Sequence, residues 1–524
     1  MRDATTLVFM ASLFASSCSF DTSPLKSPEG LPVAAGSVSA AGKRAPSVAG
    51  SPQPGGTVAA AAGSVSTHPP SNAGSGGDTP RPSAGRGGSV AGTESQPVAG
   101  SQAPAPTPDA GTTPPACAPI DWANPGKVEV PVIESVAADA GNGKPFAALA
   151  GLEAFAYEHQ ESFLTGASPA FTTRMNVYKP KDPARFSGTV FVEWYDVSSQ
   201  LDLAMEWASS REYFMREGHG YVAVSAQSLG VDHLKRYDSQ RYAKLQHPGD
   251  SFAEAIFSRA GVALKTHANE LLGPCYPVHA LIATGNLQAA LRLASYIDNV
   301  QATDRVYDGF MLHSGLEPRT SDPGVPVMEL FTMSEAPSTP DDGPMLVKWM
   351  IAGATLSARR TTTRSAEVAM EVSMAVYGCV DSMNDFPAHR AYNAAFAALH
   401  EWVRNGKRPQ AAPRFERSAF GGLSFDDNLN VVGGLRLPEI EVPIATYSTT
   451  NTPSLTDPTG GLACSLGGTA ARFSPQRLEM LYPTHDDYVT KYKAAADRSL
   501  AAGHLLQADY DEALKEAQAA PIPR

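Results

Sequence analysis

One turn in this chain has the spacing of a site for nucleophilic attack on a carbonyl group. Residues 278–294 (VHALIATGNLQAALRLA) contain an apolar run, a tight turn and an amphipathic run, which predicts a strand, a turn and a helix. The turn fits the pattern G-x-S-x-G, or its variant with another small residue last, except at the centre, where Leu287 replaces serine. Gly285 and Ala289 keep the small positions that let a strand and a helix approach closely. Because a leucine side chain has no nucleophilic atom, the turn keeps the backbone pattern of such a site and lacks its chemistry.

Other segments combine a histidine with a hydroxyl or a carboxylate and are candidates for a replacement site. They are residues 247–250 (HPGD), 313–314 (HS) and 484–487 (THDD). No HExxH or His-x-His spacing is present, and no two cysteines form a C-x-x-C motif, so we predict no metal site. We also expect no cofactor.

Several blocks of this chain, in order, resemble a bacterial family known only as "alpha/beta hydrolase domain" proteins, whose elbow has the form TGESQS. Besides the turn, the blocks are residues 157–166 (YEHQESFLTG), 191–202 (FVEWYDVSSQLD), 218–230 (GHGYVAVSAQSLG), 246–258 (QHPGDSFAEAIFS), 305–314 (RVYDGFMLHS) and 482–489 (YPTHDDYV). Their order and spacing make the resemblance more specific than any single motif. It implies an α/β-hydrolase fold, in which a mostly parallel central sheet is flanked by helices and carries inserted cap segments. Because relatives with a complete elbow share the His-containing blocks, we expect those blocks to be structural.

The resemblance also assigns the other two triad positions. In this fold the triad follows the chain order nucleophile, acid, histidine. Glu335 follows the predicted strand 325–333 and takes the acid position, although a glutamate at a strand end is commonly a solvated loop residue. Family members have a segment like AGTAH at the histidine position, where this chain reads AGATL, so Leu356 replaces the general base. Two triad positions have therefore become leucine.

The expected oxyanion region is altered as well. The family block resembling EWLNVSGG reads EWYDVSS here, which puts Tyr195 and Asp196 in the loop that would stabilise developing negative charge. Gln288, directly after the nucleophile position, completes this region. A carboxylate at position 196 would repel an oxyanion, so we predict that the site is unsuited to acyl transfer.

Strand and helix signals alternate through the domain. Strands are predicted at residues 187–194, 221–226, 278–284, 306–313, 325–333 and 346–351, and a helix at 201–216. This alternation predicts an α/β domain with a mostly parallel sheet, whose active site lies at the carboxyl ends of the strands. Segments 230–277 and 359–468 are longer than ordinary connections, and we expect them to form a cap over that edge.

Composition divides the 524 residues into three parts. Residues 1–18 are typical of an export signal, and the small residues before Cys18 resemble a bacterial lipoprotein signal that would anchor the protein to a membrane by lipid on Cys18. A plain cleaved signal, giving a periplasmic or secreted protein, is the alternative. Residues 19–116 are rich in Ala, Gly, Ser and Pro and should form a disordered linker, whereas residues 117–524 form the folded domain.

The remaining cysteines are even in number, as disulfide pairs in an exported protein require. They are Cys117, Cys275, Cys379 and Cys464, which permit three pairings. We favour Cys379 with Cys464 and Cys117 with Cys275, because these pairs would tie two long C-terminal segments and pin the start of the domain beside the elbow strand.

Three functions fit the sequence. The first is an exported, surface-tethered and catalytically silent hydrolase-fold protein that binds a small-molecule or protein ligand that the sequence does not identify. The second is a carboxylic-ester hydrolase with a non-standard nucleophile, and the third is a structural spacer on a flexible stalk. The net charge of −12 and the pI near 5.5 argue against nucleic-acid binding.

Overall fold

The computed structural model describes residues 120, 122–315, 319, 322–338, 341–356, 379–454 and 461–522, all of which belong to one unit, Thr107–Arg524. The predicted signal segment 1–18 and linker 19–116, together with Cys18 and Cys117, lie outside these residues. Among the described helices, none is long and apolar enough to cross a membrane.

A central sheet of nine strands organises the domain, with the strand order β1-β2-β3-β5-β4-β6-β7-β8-β9. The strands are β1 (Val132–Ser135), β2 (Tyr157–Ala167), β3 (Ala170–Pro180), β4 (Thr189–Trp194), β5 (Gly220–Val224), β6 (Ala280–Asn286), β7 (Gly309–His313), β8 (Val327–Phe331) and β9 (Leu346–Met350). Strands β1, β2 and β3 pair antiparallel, as do β3 and β5, and the remaining neighbours are parallel. The mostly parallel sheet is therefore confirmed, and each predicted strand is present with slightly shifted ends.

Helices cover both faces of this sheet. They are α1 (Met205–Arg216), α2 (Ser228–Tyr237), α3 (Ala253–Thr266), α4 (Ala268–Leu271), α5 (Gln288–Tyr296), α6 (Ala302–Asp304), α7 (His389–Asn405), α8 (Pro438–Glu441), α9 (Gly461–Gly467), α10 (Pro475–Leu481), α11 (His485–Ala501) and α12 (Gln507–Gln518). Short 3-10 turns lie at Glu153–Phe155, Pro183–Arg185 and Asp250–Phe252, and a π-helical turn at Ile297–Gln301 follows α5. A separate two-stranded sheet joins β10 (Ala445–Ser448) to β11 (Thr469–Arg472).

The sheet strands are apolar on both sides because each face is buried under helices. One core cluster joins α1 and α7 to one face, and a second joins α3 and α5 to the other. This arrangement corrects part of the cap prediction. Helix α3 lies in segment 230–277 and α7 in segment 359–468, yet both pack on the sheet because their buried apolar faces match its surface.

The carboxyl ends of the parallel strands are level at one edge, which we call the carboxyl edge. The register aligns Asn286 on β6 with His313 on β7, His313 with Leu330 on β8, and Leu330 with Trp349 on β9. Neighbouring strands are about 4.8 Å apart, so the loops after β6, β8 and β9 begin within roughly 10 to 15 Å of one another. The sheet thus brings the elbow and the two loops expected to carry the acid and the base to the same edge.

A disulfide joins Cys379 to Cys464, with their Cα atoms 5.7 Å apart, as we expected. Cys275 is also disulfide-bonded. Its preferred partner, Cys117, lies outside the described residues, so that pairing stays a prediction.

Candidate functional site

The turn after β6 has the backbone of a nucleophile elbow. Strand β6 ends at Asn286, helix α5 begins at Gln288, and Leu287 between them has φ 51° and ψ −117°. A non-glycine residue in this region costs about 1–3 kcal/mol and persists only where its surroundings impose it. A Cβ atom on Gly285 would lie 3.0 Å from the Ala289 carbonyl carbon, so a larger residue there would require the helix to shift slightly away from the strand. The elbow geometry is present around a side chain that cannot act as a nucleophile.

The Asp196 carboxylate lies near the backbone at the start of α5. The N–H groups of Gln288 and Ala289 are close enough to lower its pKa. The carboxylate accepts hydrogen bonds of 3.0 Å from both the N–H and the hydroxyl of Ser198. In this fold the N–H of the residue after the nucleophile is one of the two oxyanion donors. Here that donor lies beside a carboxylate supplied by the protein, which is the kind of group that helix N-termini favour.

The second oxyanion donor in this fold comes from the loop between β4 and α1. In that loop the Asp196 N–H donates to the Leu203 carbonyl at 3.0 Å, and the Tyr195 N–H donates to the Val224 carbonyl at 3.3 Å. The Tyr195 side chain lies elsewhere: its hydroxyl accepts a hydrogen bond of 2.6 Å from Asn176, and its ring lies 5.1 Å from the Arg174 guanidinium. The Asp196 side chain therefore lies near the start of α5, whereas the Tyr195 side chain belongs to a buried polar network.

Burial controls the charge of Asp196. The residue is only 2% exposed, and burial raises its pKa to about 6, although the hydrogen bonds that it accepts act in the opposite direction. The carboxylate is therefore mostly ionised at neutral pH and becomes protonated in mildly acidic solution.

The expected acid and base positions lie on neighbouring loops. Glu335 follows β8, and its Oε2 accepts hydrogen bonds from the N–H of Thr332 (2.8 Å) and its hydroxyl (2.5 Å). This bond back to the start of the turn resembles a capping box and supports a structural role. Leu356 follows β9 and is 7% exposed. The Met333 N–H donates to the Ala354 carbonyl at 3.0 Å, which ties the two loops together.

A buried polar network beneath the elbow was not predicted from the sequence. Glu206 Oε1 lies 3.1 Å from His313 Nδ1 and 3.4 Å from Asn286 Nδ2. Asn286 Nδ2 is also 2.9 Å from His313 Nδ1, and the Tyr392 ring packs 4.2 Å from the His313 ring. Helices α1 and α7 contribute Glu206 and Tyr392. No motif marks these two residues, because their positions depend on how the helices pack on the sheet.

A second carboxyl group extends the network below Glu206. Glu193 accepts hydrogen bonds from the Glu206 N–H (2.8 Å) and from the Tyr221 hydroxyl (2.5 Å). Burial, reinforced by repulsion from Glu206, raises the pKa of Glu193 well above its ordinary value. This shift favours the neutral form of Glu193, which lowers the charge that the pair carries.

The carboxyl edge also holds polar atoms that make no hydrogen bond to other described residues. They are Glu206 Oε2, Asn286 Oδ1, Gln288 Oε1, Ser314 Oγ, Ser334 Oγ and Glu335 Oε1. A buried polar atom without a partner costs roughly 1–3 kcal/mol. Such atoms are expected where a protein binds water or a polar ligand.

Two of the other His-containing segments stabilise turns and helix ends. Thr484 caps α11 by accepting a bond of 3.1 Å from the Asp487 N–H. Asp250 accepts bonds of 2.8 Å from both the N–H and the hydroxyl of Ser228 at the start of α2. His247 is held in the same region by the Ala226 carbonyl at 2.9 Å. Within the described ranges, no group of three or more His, Cys, Asp or Glu residues is arranged to hold a metal ion.

Comparison with known proteins identifies the family. Among solved structures, the chain is similar to a prolyl endopeptidase (8% identity, 42% of this chain and 38% of that chain, TM-score 0.27). It is also similar to the esterase Est22 (8% identity, 42% and 79%, TM-score 0.28) and to the Pyrococcus furiosus esterase Pf2001 (10% identity, 42% and 94%, TM-score 0.28). The chain thus spans well under half the length of the prolyl endopeptidase, and no curated protein matches it. The model of the family described as "Alpha/beta hydrolase domain" matches residues 140–515, which is most of the chain. The protein therefore belongs to the alpha/beta hydrolase domain family.

Proposed function

We propose that this protein is a catalytically silent member of its family that binds a small-molecule or protein ligand at the carboxyl edge. In this proposal the protein is exported and anchored to a membrane by lipid on Cys18. The observation that carries the proposal is Leu287 at the centre of an intact elbow, because acyl transfer in this fold needs a nucleophilic atom at that point.

The acid–base and oxyanion components support the same conclusion. Leu356 follows the strand whose loop would supply the general base, and it has no titratable group. The Asp196 carboxylate lies near the N–H of Gln288, so an oxyanion at that donor would meet a second negative charge. Removing a triad serine or histidine costs about 10⁶-fold in turnover, and removing one oxyanion donor costs about 10²–10³-fold.

A binding role is supported by the polar atoms at the carboxyl edge. A structural spacer has no use for buried oxygens without hydrogen-bond partners, whereas a ligand or bound water would satisfy them. The strained backbone at Leu287 is a second cost that a spacer would not need to keep.

The test of catalytic silence is covalent labelling with a fluorophosphonate, together with turnover of p-nitrophenyl acetate and butyrate. We expect no labelling and no hydrolysis above buffer for the wild type, and labelling of the introduced serine in Leu287→Ser once a base is also restored by Leu356→His. Peptide mapping by mass spectrometry identifies the labelled residue. Labelling and turnover in the wild type, at any residue, would overturn the proposal.

The second candidate is an ester hydrolase with a non-standard nucleophile. The observation that favours it is the Glu206–His313 contact of 3.1 Å beside the elbow, since a carboxylate–histidine pair is the acid–base half of a triad. Ser314 is the adjacent hydroxyl. Wild-type labelling that Ser314→Ala abolishes would establish this candidate in place of the first.

Localisation needs a separate experiment. We expect the mature protein to fractionate with membranes and Cys18→Ala to remain a soluble precursor. We also expect Cys117, Cys275, Cys379 and Cys464 to resist alkylation without reductant in protein from its native compartment. A wholly soluble processed wild type would remove the lipid anchor, and four free thiols would remove the argument for export that rests on disulfides.

A further inference from the structure

A cavity lies in the C-terminal part of the domain. Its volume is 480 Å³, and its walls come from the segment before α7, from α8, from the β10–β11 sheet and from α11 and α12. Cavities of this size accommodate small ligands. None of its lining residues belongs to the elbow or to the polar network beneath it.

Aromatic rings form two of its walls. Phe386 and Tyr447 pack edge to face with their centroids 5.3 Å apart, and Tyr488 and Tyr492 pack 5.8 Å apart. Burial raises the pKa of all three tyrosines above its ordinary value, so their phenols stay neutral. Neutral aromatic walls offer electron-rich faces, which attract organic cations.

The charge of the cavity favours a cation as well. Glu439 lines the cavity, and its Oε1 accepts hydrogen bonds from the Tyr492 hydroxyl (2.5 Å) and from Arg390. Arg390, only 1% exposed, is shared with Glu516, which it contacts at 2.7 Å. One guanidinium therefore serves two carboxylates, which leaves one negative charge uncompensated. Glu439 Oε2 is buried and has no hydrogen-bond partner among the described residues.

The remaining charged groups of the lining neutralise each other. Arg472 and Asp385 form an ion pair of 2.6 Å, in which the Arg472 side chain is 51% exposed. The Arg472 guanidinium also lies near the Tyr447 phenol and acts to lower its pKa. The excess negative charge thus resides with Glu439 and Glu516, beside the tyrosine rings.

We propose that this cavity is a binding site for a small organic ammonium ion, held by the rings of Tyr447, Tyr488 and Tyr492 and by the carboxylate of Glu439. A methylated ammonium group fits this chemistry best, because it needs aromatic faces and a nearby negative charge rather than several hydrogen-bond acceptors. The site is independent of the elbow, so it stands whether or not the domain hydrolyses esters.

The first test compares three probes that have similar branched shapes and differ in charge. Choline carries a positive charge, 3,3-dimethylbutan-1-ol is its neutral counterpart, and 3,3-dimethylbutanoate is an anion. Isothermal titration of the full-length wild type should give choline at least tenfold tighter binding than either of the others. Equal binding of the alcohol, tighter binding of the anion, or no binding of choline at millimolar concentration would each overturn the proposal.

The second test locates the site. Tyr488→Leu should weaken choline binding at least tenfold, whereas Tyr488→Phe, which keeps the ring, should stay within threefold of the wild type. Phe420→Leu, at a position that is 99% exposed, is the control for losing an aromatic ring elsewhere and should bind as the wild type does. Circular dichroism checks folding; if Tyr488→Leu does not fold, Tyr447→Leu takes its place. Choline binding that neither leucine variant weakens would place the site elsewhere and overturn the assignment.

Discussion

The elbow and the C-terminal cavity each bury a carboxylate, but they differ in how well the protein satisfies its oxygens with hydrogen bonds. At the elbow, both oxygens of Asp196 accept hydrogen bonds from Ser198, and the carboxylate lies near the backbone of α5. In the cavity, Glu439 keeps one oxygen without a partner and shares its cation, Arg390, with Glu516. Both Asp196 oxygens thus have partners within the protein, whereas Glu439 has binding capacity left. A buried polar group is available for recognition only where the protein's own hydrogen bonds leave it unsatisfied.

The largest expected effect tests whether the Asp196 carboxylate prevents oxyanion binding at the elbow. We expect Leu287→Ser with Leu356→His to hydrolyse p-nitrophenyl acetate weakly, and the addition of Asp196→Asn to raise turnover about 100-fold, since one oxyanion donor contributes about 10²–10³-fold. Asp427→Asn on the same double background removes an exposed carboxylate instead and should change nothing. Equal rates with and without Asp196 would mean that its carboxylate does not block the donor.

The next effect concerns the cavity carboxylate. Glu439→Gln removes one of the two charged partners of Arg390, a residue that is almost fully buried. We expect the free energy of unfolding to fall by about 2 kcal/mol, since Arg390 loses its more buried partner and keeps only Glu516, whose side chain is 60% exposed. Urea denaturation measures the change, and Glu479→Gln at an exposed position should cost less than about 0.5 kcal/mol. Similar losses for both variants would show that the Arg390 pairing does not depend on Glu439.

Measuring stability over a range of pH tests the pKa of Asp196 at the elbow. The pKa of Asp196 is about 6 in the folded protein and near 3.8 when unfolded, so its contribution favours folding below pH 3.8 and is lost as the pH rises through 6. The stability of the wild type relative to Asp196→Asn should therefore fall by about 2 kcal/mol between pH 4 and pH 7. Asp427→Asn is the control for losing one charge at an exposed site. If the stability of the wild type relative to Asp196→Asn rises with pH instead, folding lowers the pKa of Asp196 and the assigned direction is wrong.

The smallest effect tests the backbone strain at the elbow. Leu287→Ala and Leu287→Gly both remove the buried side chain, but alanine keeps a Cβ at φ 51° and glycine does not. We expect the glycine variant to be more stable by about 1 kcal/mol. At Leu293, buried within helix α5, the order should reverse, since alanine is favoured over glycine in a helix by about 1 kcal/mol. If the alanine variant is more stable than the glycine variant at both positions, the backbone at Leu287 is not strained.

The elbow was predictable because its signal is local. A strand, a sharp turn and a helix with small residues two positions either side of the centre are specified within one short segment, and the structure has them. The positions of Asp196 and Leu356 followed from blocks that resemble one family, and the structure places both at strand ends of the carboxyl edge. By contrast, the prediction of a cap was wrong in part. The length of a segment does not reveal that α3 and α7 carry apolar faces that fit the sheet.

The sequence by itself determined that Leu287 has no nucleophilic atom, that a mostly parallel sheet would carry it, and that Cys379 and Cys464 were candidates to pair. Only the tertiary structure decided which polar groups are satisfied. The Asp196 carboxylate meets the α5 backbone across about 90 residues of chain, and the cavity joins residues from Asp385 to Pro521. Contacts between distant segments depend on packing and register, which no local pattern encodes, and those contacts decide whether a carboxylate is occupied or free to bind.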